Sequence, residues 1–503
     1  MGLIWIIIVP LLALALLFRP WLLRNSHKKL PPGPKGFPIL GCLHLLGKLP
    51  HRDFHRLSQR YGPIMHMKLG LVHTIIVSSP EAAELFLKTH DLVFASRPHS
   101  EVINYIFHGQ KDVLFAPYGS YWRNMRKTCT LELLSSHKIS SFESVRREEV
   151  GLLIEDLREA AKSGVAVDLT SKIFSLTLEM TCLVIFGRKY EGEEVHGRSF
   201  KWLLREASRL GAAPNLADFI PCIAPLDLQG LNRRAKFVNK VLDGFLESII
   251  DEHLRESKNH TKDFVDAMLD ILGSRGTEYQ INRSDIKAVI FDMVLGAVDT
   301  SATTMGWVLF ELIKHPQVMK KLQEELENVV GLNRKVEESD LGHMKYLDMI
   351  VKETLRLHPP GPILAPHESL EDCTINNFFI PKRSRIIVNA WAIARDPSVW
   401  TNAEKFFPER FIDSKVDLKG RDFQLIPFGA GRRSCPGIHM ALIVVHLIIA
   451  QLVHCFDWKL PGGILPTELD ITEEFGLTCP RVQDLIVTPI YRGLSSRTQG
   501  GLL

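Results

Sequence analysis

The segment that decides the reading is FGAGRRSCPG, Phe428–Gly437, which carries one cysteine, three glycines and two adjacent arginines. A disulfide needs a partner cysteine and an oxidising compartment. A structural zinc site shows Cys-x-x-Cys or Cys/His pairs, and none stands here. A small buried core cysteine is the default for an unpaired thiol. That default leaves the glycines and arginines without a purpose.

The residues that follow add a second constraint. After Gly437 comes IHMALIVVHLIIAQLVHCF, a strongly apolar helical stretch. Proline is favoured at the first helical position, so Pro436 predicts Cys435 at the N-cap. Backbone N–H groups and the helix dipole there stabilise a thiolate. A thiolate so placed serves either as a reactive group or as a ligand for a cation. The glycines let a flat ligand lie against the backbone, Phe428 can pack beside it, and Arg433 can pair with an anionic group.

With 503 residues, the chain can bury a large core. Hydrophobic residues make up 46% and charged residues 23%, and the net charge is only +4, so nothing points to a nucleic-acid binder. Eight cysteines without framework spacing fit a reducing compartment.

Gly2–Phe18 is an uninterrupted apolar run that would span about 25 Å as a helix, near the lower limit for crossing a membrane. A cleaved signal peptide is the rival reading. The basic residues Arg19, Arg24, Lys28 and Lys29 follow the run and none precedes it. The positive-inside rule then predicts an uncleaved anchor with the body in the cytosol. On that side Asn259 and Asn282, both in glycosylation patterns, stay bare.

Three parts follow in chain order. Residues 1–29 are the anchor with its basic flank. Residues 30–41, LPPGPKGFPILG, are too rich in proline and glycine for a helix and read as a semi-rigid hinge. Residues 42–503 are the globular body. Three- and four-residue apolar spacing predicts helices over 263–272, 284–315 and 317–330. The second is long and apolar on most faces, so it must cross the core. GPIMHMKLG, HTIIVSS, CTINNFFIP and RIIVNAWAIA read as strands. The fold class is mainly α with a small mixed β-sheet.

FGAGRRSCPG resembles the haem loop of the cytochrome P-450 superfamily, Phe-x-x-Gly-x-Arg-x-Cys-x-Gly, matched by Phe428, Gly431, Arg433, Cys435 and Gly437. Those five residues would meet by chance on the order of 10⁻⁴ times in a chain this long. The resemblance implies haem b with Cys435 as axial thiolate, the ligand that pushes electron density toward iron. In KETLR, Glu353 and Arg356 share a helix face at i, i+3. In the family they lock to the arginine of a later PERF segment, here Arg410. Trp122 and Arg126 of YWRNMRK, with His367 and Arg433, match residues that hold the haem propionates. GAVDTS, 296–301, resembles the oxygen-activation motif of plant members, with Asp299 and Thr300 as acid and alcohol. Thr300 can bond back to the Gly296 carbonyl and open the helix locally. Ala297 stands where the family usually has glycine.

The chain is similar to plant microsomal members of specialised metabolism. That likeness implies a monooxygenase anchored in the endoplasmic reticulum, which uses O₂ and NADPH-derived electrons on a small lipophilic substrate, aromatic or terpenoid. The electron donor this implies is a separate NADPH-cytochrome P-450 reductase, with cytochrome b5 as a second donor, since no nucleotide-binding fingerprint appears. Lys127 and Arg432 are basic residues suited to an acidic reductase face. By resemblance, substrate contacts fall at Ile103, Phe107, Phe115, Met293, Ala297, Ile363, Leu364, Phe475 and Leu477. The apolar loop 215–230 either dips into the bilayer or caps the fold. Two rival activities remain: a peroxide-dependent isomerase or dehydratase, and a haem-binding carrier without turnover.

Overall fold

Arg283–Lys314 forms one unbroken 32-residue helix in a computed structural model of the chain, which describes residues 29–190, 194–195, 198–255, 262–273 and 281–493. Residues 1–28 of the expected anchor, and Asn259, lie outside the described residues. The helix starts at a capping box. Asn282 Oδ1 accepts the Asp285 N–H at 3.1 Å, and Asp285 Oδ2 accepts the Asn282 N–H at 2.9 Å. One of the two glycosylation-pattern asparagines therefore serves as a helix cap.

In chain order the main helices are α1 (Pro50–Tyr61), α2 (Glu101–Ile106), α3 (Ser120–Glu132), α4 (Glu143–Ser163), α5 (Leu169–Phe186) and α6 (Phe200–Ala212). They continue as α7 (Leu231–Arg255), α8 (Phe264–Gly273), α9 (Arg283–Lys314), α10 (Pro316–Val330), α11 (Lys345–Leu357) and α12 (Ile438–Cys455). The three helices predicted from apolar spacing correspond to α8, α9 and α10. Helices α5, α9 and α12 are each long and apolar enough to cross a membrane, yet 61%, 67% and 67% of their most apolar windows are buried inside the protein. Their apolar faces form the core.

Besides the short antiparallel pair Glu194–Val195 and Arg198–Ser199, the described strands are β1 (Ile64–Leu69), β2 (Val72–Val77), β3 (Val167–Asp168), β4 (His367–Glu368), β5 (Cys373–Ile375), β6 (Phe378–Ile380), β7 (Arg385–Val388), β8 (Phe456–Lys459) and β9 (Ile486–Tyr491). One mixed sheet has the order β1–β2–β7–β4. In it β1 and β2 run antiparallel with Ile64 opposite Val77, and β2 and β7 run parallel with Thr74 opposite Arg385. A second, antiparallel sheet has the order β8–β9–β3. CTINNFFIP is a hairpin, β5 to β6, turned by Asn376 and Asn377 at positive φ of 48° and 64°. RIIVNAWAIA is a strand only to Val388. Asn389 then caps a short helix, Ala390–Ile393, by accepting the Ala392 N–H at 3.1 Å.

Helix α9 joins two parts of the core. Its first half buries Ile286, Ile290, Phe291, Val294 and Val298 beside α5, α6, α7 and α8. Its second half buries Met305, Val308, Leu309 and Leu312 beside α4, α11 and α12. The motif 296–301 falls between the two.

Candidate functional site

Gly431 fixes the shape of the thiol loop. Its φ is +68°, and a Cβ there would stand 2.0 Å from the Leu87 carbonyl oxygen. Close backbone packing in a left-handed conformation is what requires glycine at this position. The Cys435 N–H donates to the Phe428 carbonyl at 2.8 Å, closing the loop. Helix α12 starts later than the proline suggested. Pro436 and Gly437 form a turn, Gly437 is the N-cap, and its carbonyl accepts the Ala441 N–H at 2.9 Å. Cys435 therefore sits two residues before the cap. Burial raises its thiol pKa, while a hydrogen bond from the Gly437 N–H and the charge of Arg126 pull it down. Burial wins, so the sulfur keeps its proton until a cation binds it.

Gly296 and Ala297 are exposed in the middle of the core helix, between buried Leu295 and Val298. A Cβ on Gly296 would meet nothing within 4 Å. The charge of Asp292, one turn earlier, reaches the Cys435 sulfur. Thr300 Oγ1 donates to the Gly296 carbonyl at 2.6 Å, and Thr304 Oγ1 repeats the pattern to the Thr300 carbonyl at 2.8 Å. The helix does not open there; the hydroxyl bonds add to its ladder. Asp299 turns elsewhere. Its Oδ2 accepts from Ser208 Oγ of α6 at 2.6 Å and from Thr478 Oγ1 at 2.8 Å.

Three arginines gather beside the loop. Arg433 donates to the carbonyls of Ala95 at 2.7 Å and Ala116 at 2.6 Å. Arg97, which is buried, donates to the Leu114 carbonyl at 2.9 Å and the Pro366 carbonyl at 3.0 Å. Arg126 donates to the Ser434 carbonyl at 2.6 Å. Among the described residues none of the three makes a carboxylate ion pair. Burial lowers all three pKa values, and repulsion between the arginines adds to it at Arg433, which falls to about 8, and at Arg97, which falls to about 10. Trp122 departs from the expectation. Its indole N–H donates to the Val113 carbonyl at 2.9 Å, because a buried indole must pair, so what it offers Arg433 is its ring face at 4.0 Å. A ring nitrogen of His367, Nδ1, lies 2.7 Å from the Phe94 carbonyl, and burial and Arg97 hold this histidine neutral.

Comparison with known proteins decides the family. The cytochrome P-450 family model matches residues 31–484. A cytochrome P-450 of Panax ginseng is 52% identical over 476 residues, covering 93% of this chain and 94% of that protein. The 5-epiaristolochene 1,3-dihydroxylase of Nicotiana tabacum is 40% identical over 480 residues, covering 93% and 94%. A zebrafish cytochrome P-450 solved with abiraterone superposes with a TM-score of 0.72 at 26% identity, covering 88% of this chain and all of that one. The chain belongs to the cytochrome P-450 family. As such it is a monooxygenase-type oxidoreductase whose cofactor is a haem ligated by a cysteine thiolate.

The residues present fit that cofactor. A P-450 haem brings two carboxylates, and beside the thiol loop stand three arginines that make no carboxylate ion pair among the described residues. The haem also needs an open face on the core helix, and the bare Gly296–Ala297 step offers one. Phe428 is half-buried beside the loop. Arg97 belongs to this cluster although the sequence reading passed over it. A lone arginine before proline in FASRP looks like loop charge until the fold brings it to Arg433.

The KETLR and PERF residues meet. Glu353 receives Arg356 Nε at 2.8 Å and Arg410 Nε at 2.9 Å, and Glu353 and Arg356 are both fully buried. The candidate substrate residues divide. Ile103, Phe107 and Phe115 share one apolar cluster, with Met293 and Leu477 packed against it. Leu364 packs on a second cluster and Ile363 on a third, and Phe475 stacks on His51 with centroids 6.0 Å apart. Lys127 and Arg432 line one surface hollow of about 410 Å³, together with Trp122, Arg123 and Arg126.

Proposed function

We propose that this P-450 hydroxylates a small lipophilic plant metabolite, aromatic or terpenoid, at the endoplasmic reticulum, with O₂ and NADPH-derived electrons. The observation that carries the reading is the exposed Gly296–Ala297 step of α9, one turn before Thr300 and flanked by Leu295 and Val298 of the apolar cluster that holds Ile103, Phe107 and Phe115. Cys435 would supply the thiolate that holds the haem, and Arg97, Arg126 and Arg433 would hold its carboxylates. Once bound, the haem supplies the redox chemistry that activates O₂. The protein binds the substrate among Ile103, Phe107 and Phe115, excludes bulk water there, and keeps a hydroxyl at Thr300 for proton delivery. Glu353, Arg356 and Arg410 are a structural lock and take no part in chemistry.

Two further features support the setting. The surface hollow with Lys127 and Arg432 suits the acidic face of NADPH-cytochrome P-450 reductase, with cytochrome b5 as a second donor. Phe37 of the hinge, Leu71 of the β1–β2 turn, and Leu226 and Leu228 of the 215–230 loop are exposed large apolar residues. Hinge, turn and loop are tied together by the Gly41–Leu69 bridge and by the Leu71 N–H to Phe219 carbonyl bond at 2.8 Å. Such a patch suits the membrane beside a single-pass anchor. The tobacco relative's name, a dihydroxylase of 5-epiaristolochene, favours the terpenoid branch.

Microsomes bearing this chain and a reductase, screened with plant terpenes and phenolics, test the reading. An oxygenated product that requires both NADPH and O₂ is expected. Turnover supported by peroxide without NADPH would point to the isomerase, and ligand binding without any turnover to the carrier.

A further inference from the structure

Two buried carboxylates stand beside the site, and no step above uses them. Asp292 of α9 accepts, on Oδ2, the N–H groups of Val113 at 2.9 Å and Leu114 at 3.1 Å. Asp112, the residue before Val113, is fully buried. Its Oδ2 accepts the Phe115 N–H at 2.8 Å, while its Oδ1 is enclosed without a hydrogen-bond partner among the described residues. A buried ionised carboxylate seeks donors on both oxygens, so an unpartnered oxygen fits the neutral acid.

The short loop between them carries much of the site. The Val113 carbonyl takes the Trp122 indole N–H, the Leu114 carbonyl takes Arg97, and the Ala116 carbonyl takes Arg433. Phe115 contacts Phe107, with centroids 5.7 Å apart. The N–H side of the loop is thus tied to α9, and its carbonyl side aims the arginines.

We propose that Asp112 and Asp292 form an acid pair that keeps one proton, on Asp112, and that Asp292 is a positioning residue which pins the 112–116 loop to α9 and thereby aims Arg97, Arg433 and Phe115. The inference goes beyond the proposed reaction and needs only a haem-loaded protein, whatever its substrate.

Both groups titrate above the ordinary aspartate range. Burial is the main cause for each, with the Asp292 charge adding to it at Asp112, and Asp292 lies at about 6. The Arg433 charge opposes the shift at Asp112, and the Asp112 charge in turn acts on Arg97; Cys129 and Cys435 are the titratable neighbours of Asp292. The sign follows. A raised acid contributes stability that is fully present below its unfolded pKa and is lost as pH rises through the folded value. Loss of the shared proton puts two negative charges together, and the loop loosens from α9.

Hydrogen–deuterium exchange of the haem-loaded protein over residues 110–117 tests this. In the wild type, exchange at Val113 and Leu114 should climb with pH faster than base catalysis alone requires. Asp112→Asn mimics the protonated acid. It should keep the haem spectrum and haem retention and remove the extra climb. Asp292→Ala should speed exchange of those two amides about tenfold or more, since charge-assisted hydrogen bonds are lost. Asp292→Asn keeps an acceptor, so it should retain the loop while also removing the climb, which keeps the test open if the alanine variant fails to fold. Loss of haem in Asp112→Asn, or an extra climb that persists in it, would overturn the shared proton. Unchanged Val113 and Leu114 exchange in a folded Asp292→Ala protein would overturn the positioning role.

Discussion

Glu353 and Arg356 meet through two parallel hydrogen bonds, 2.8 and 3.0 Å long, on one turn of α11, both sealed from water. Arg356 also donates to the carbonyls of Ala394 at 2.8 Å and Ala403 at 2.7 Å, and Arg410 reaches the same Glu353 oxygen as the Phe407 N–H. One side chain thus ties α11 to the segment 394–410. Removing one partner of a buried pair typically costs about 3–5 kcal/mol, a large share of a domain's stability. Arg356→Ala is expected to give little haem-loaded protein, read by absorbance after expression. A well-loaded, folded variant would contradict the structural role.

Thr300 bonds the Gly296 carbonyl and leaves its oxygen able to pass a proton. General acid help of this kind is worth about 10²–10⁴ in rate, so Thr300→Ala should lower product formation by at least the smaller factor. Substrate binding should persist. The missing reducing equivalents should appear as hydrogen peroxide, and Thr300→Ser should restore coupling. An unchanged product-to-NADPH ratio would place proton delivery elsewhere.

Asp299 joins α9 to α6 through Ser208 and to the C-terminal loop through Thr478. That makes it a clasp between these segments. Asp299→Asn keeps an acceptor for both hydroxyls and should preserve substrate affinity while lowering coupling. Asp299→Ala should weaken both. Equal affinities in the two variants, measured by substrate-induced spectral shift, would remove the clasp.

Gly431→Ala drives a methyl into the Leu87 carbonyl and forces alanine to a left-handed φ. The thiol loop should shift and haem retention should fall, while Gly437→Ala, whose added carbon meets only the Cys435 sulfur at 3.9 Å, should be milder. Comparing haem content of the two purified variants checks the order.

Much of this site was legible in the sequence because its spacing is local. The thiol loop, the i, i+3 pair in KETLR and the long apolar helix are patterns that one element fixes by itself. Features that depend on the backbone were not. Asp292 binds two amide N–H groups, and amides leave no trace in a sequence. Trp122 bonds a carbonyl for the same reason. Ile363 packs on the cluster of Met65 and Ile76, and Phe475 stacks on His51, contacts between distant segments that only the fold brings together. The start of α12 was read two residues early because proline's preference for the first helical position gave way to a Pro–Gly turn.

The central claim is that Cys435 is the sulfur on haem iron. Cys435→Ser is isosteric, and the loop bond from its N–H to Phe428 does not involve the side chain. The direct measurement is the absorbance spectrum of the reduced variant under carbon monoxide. The account predicts loss of the thiolate-type Soret band and of NADPH-dependent oxidation. Retention of that band in Cys435→Ser would contradict it and assign the iron to another cysteine.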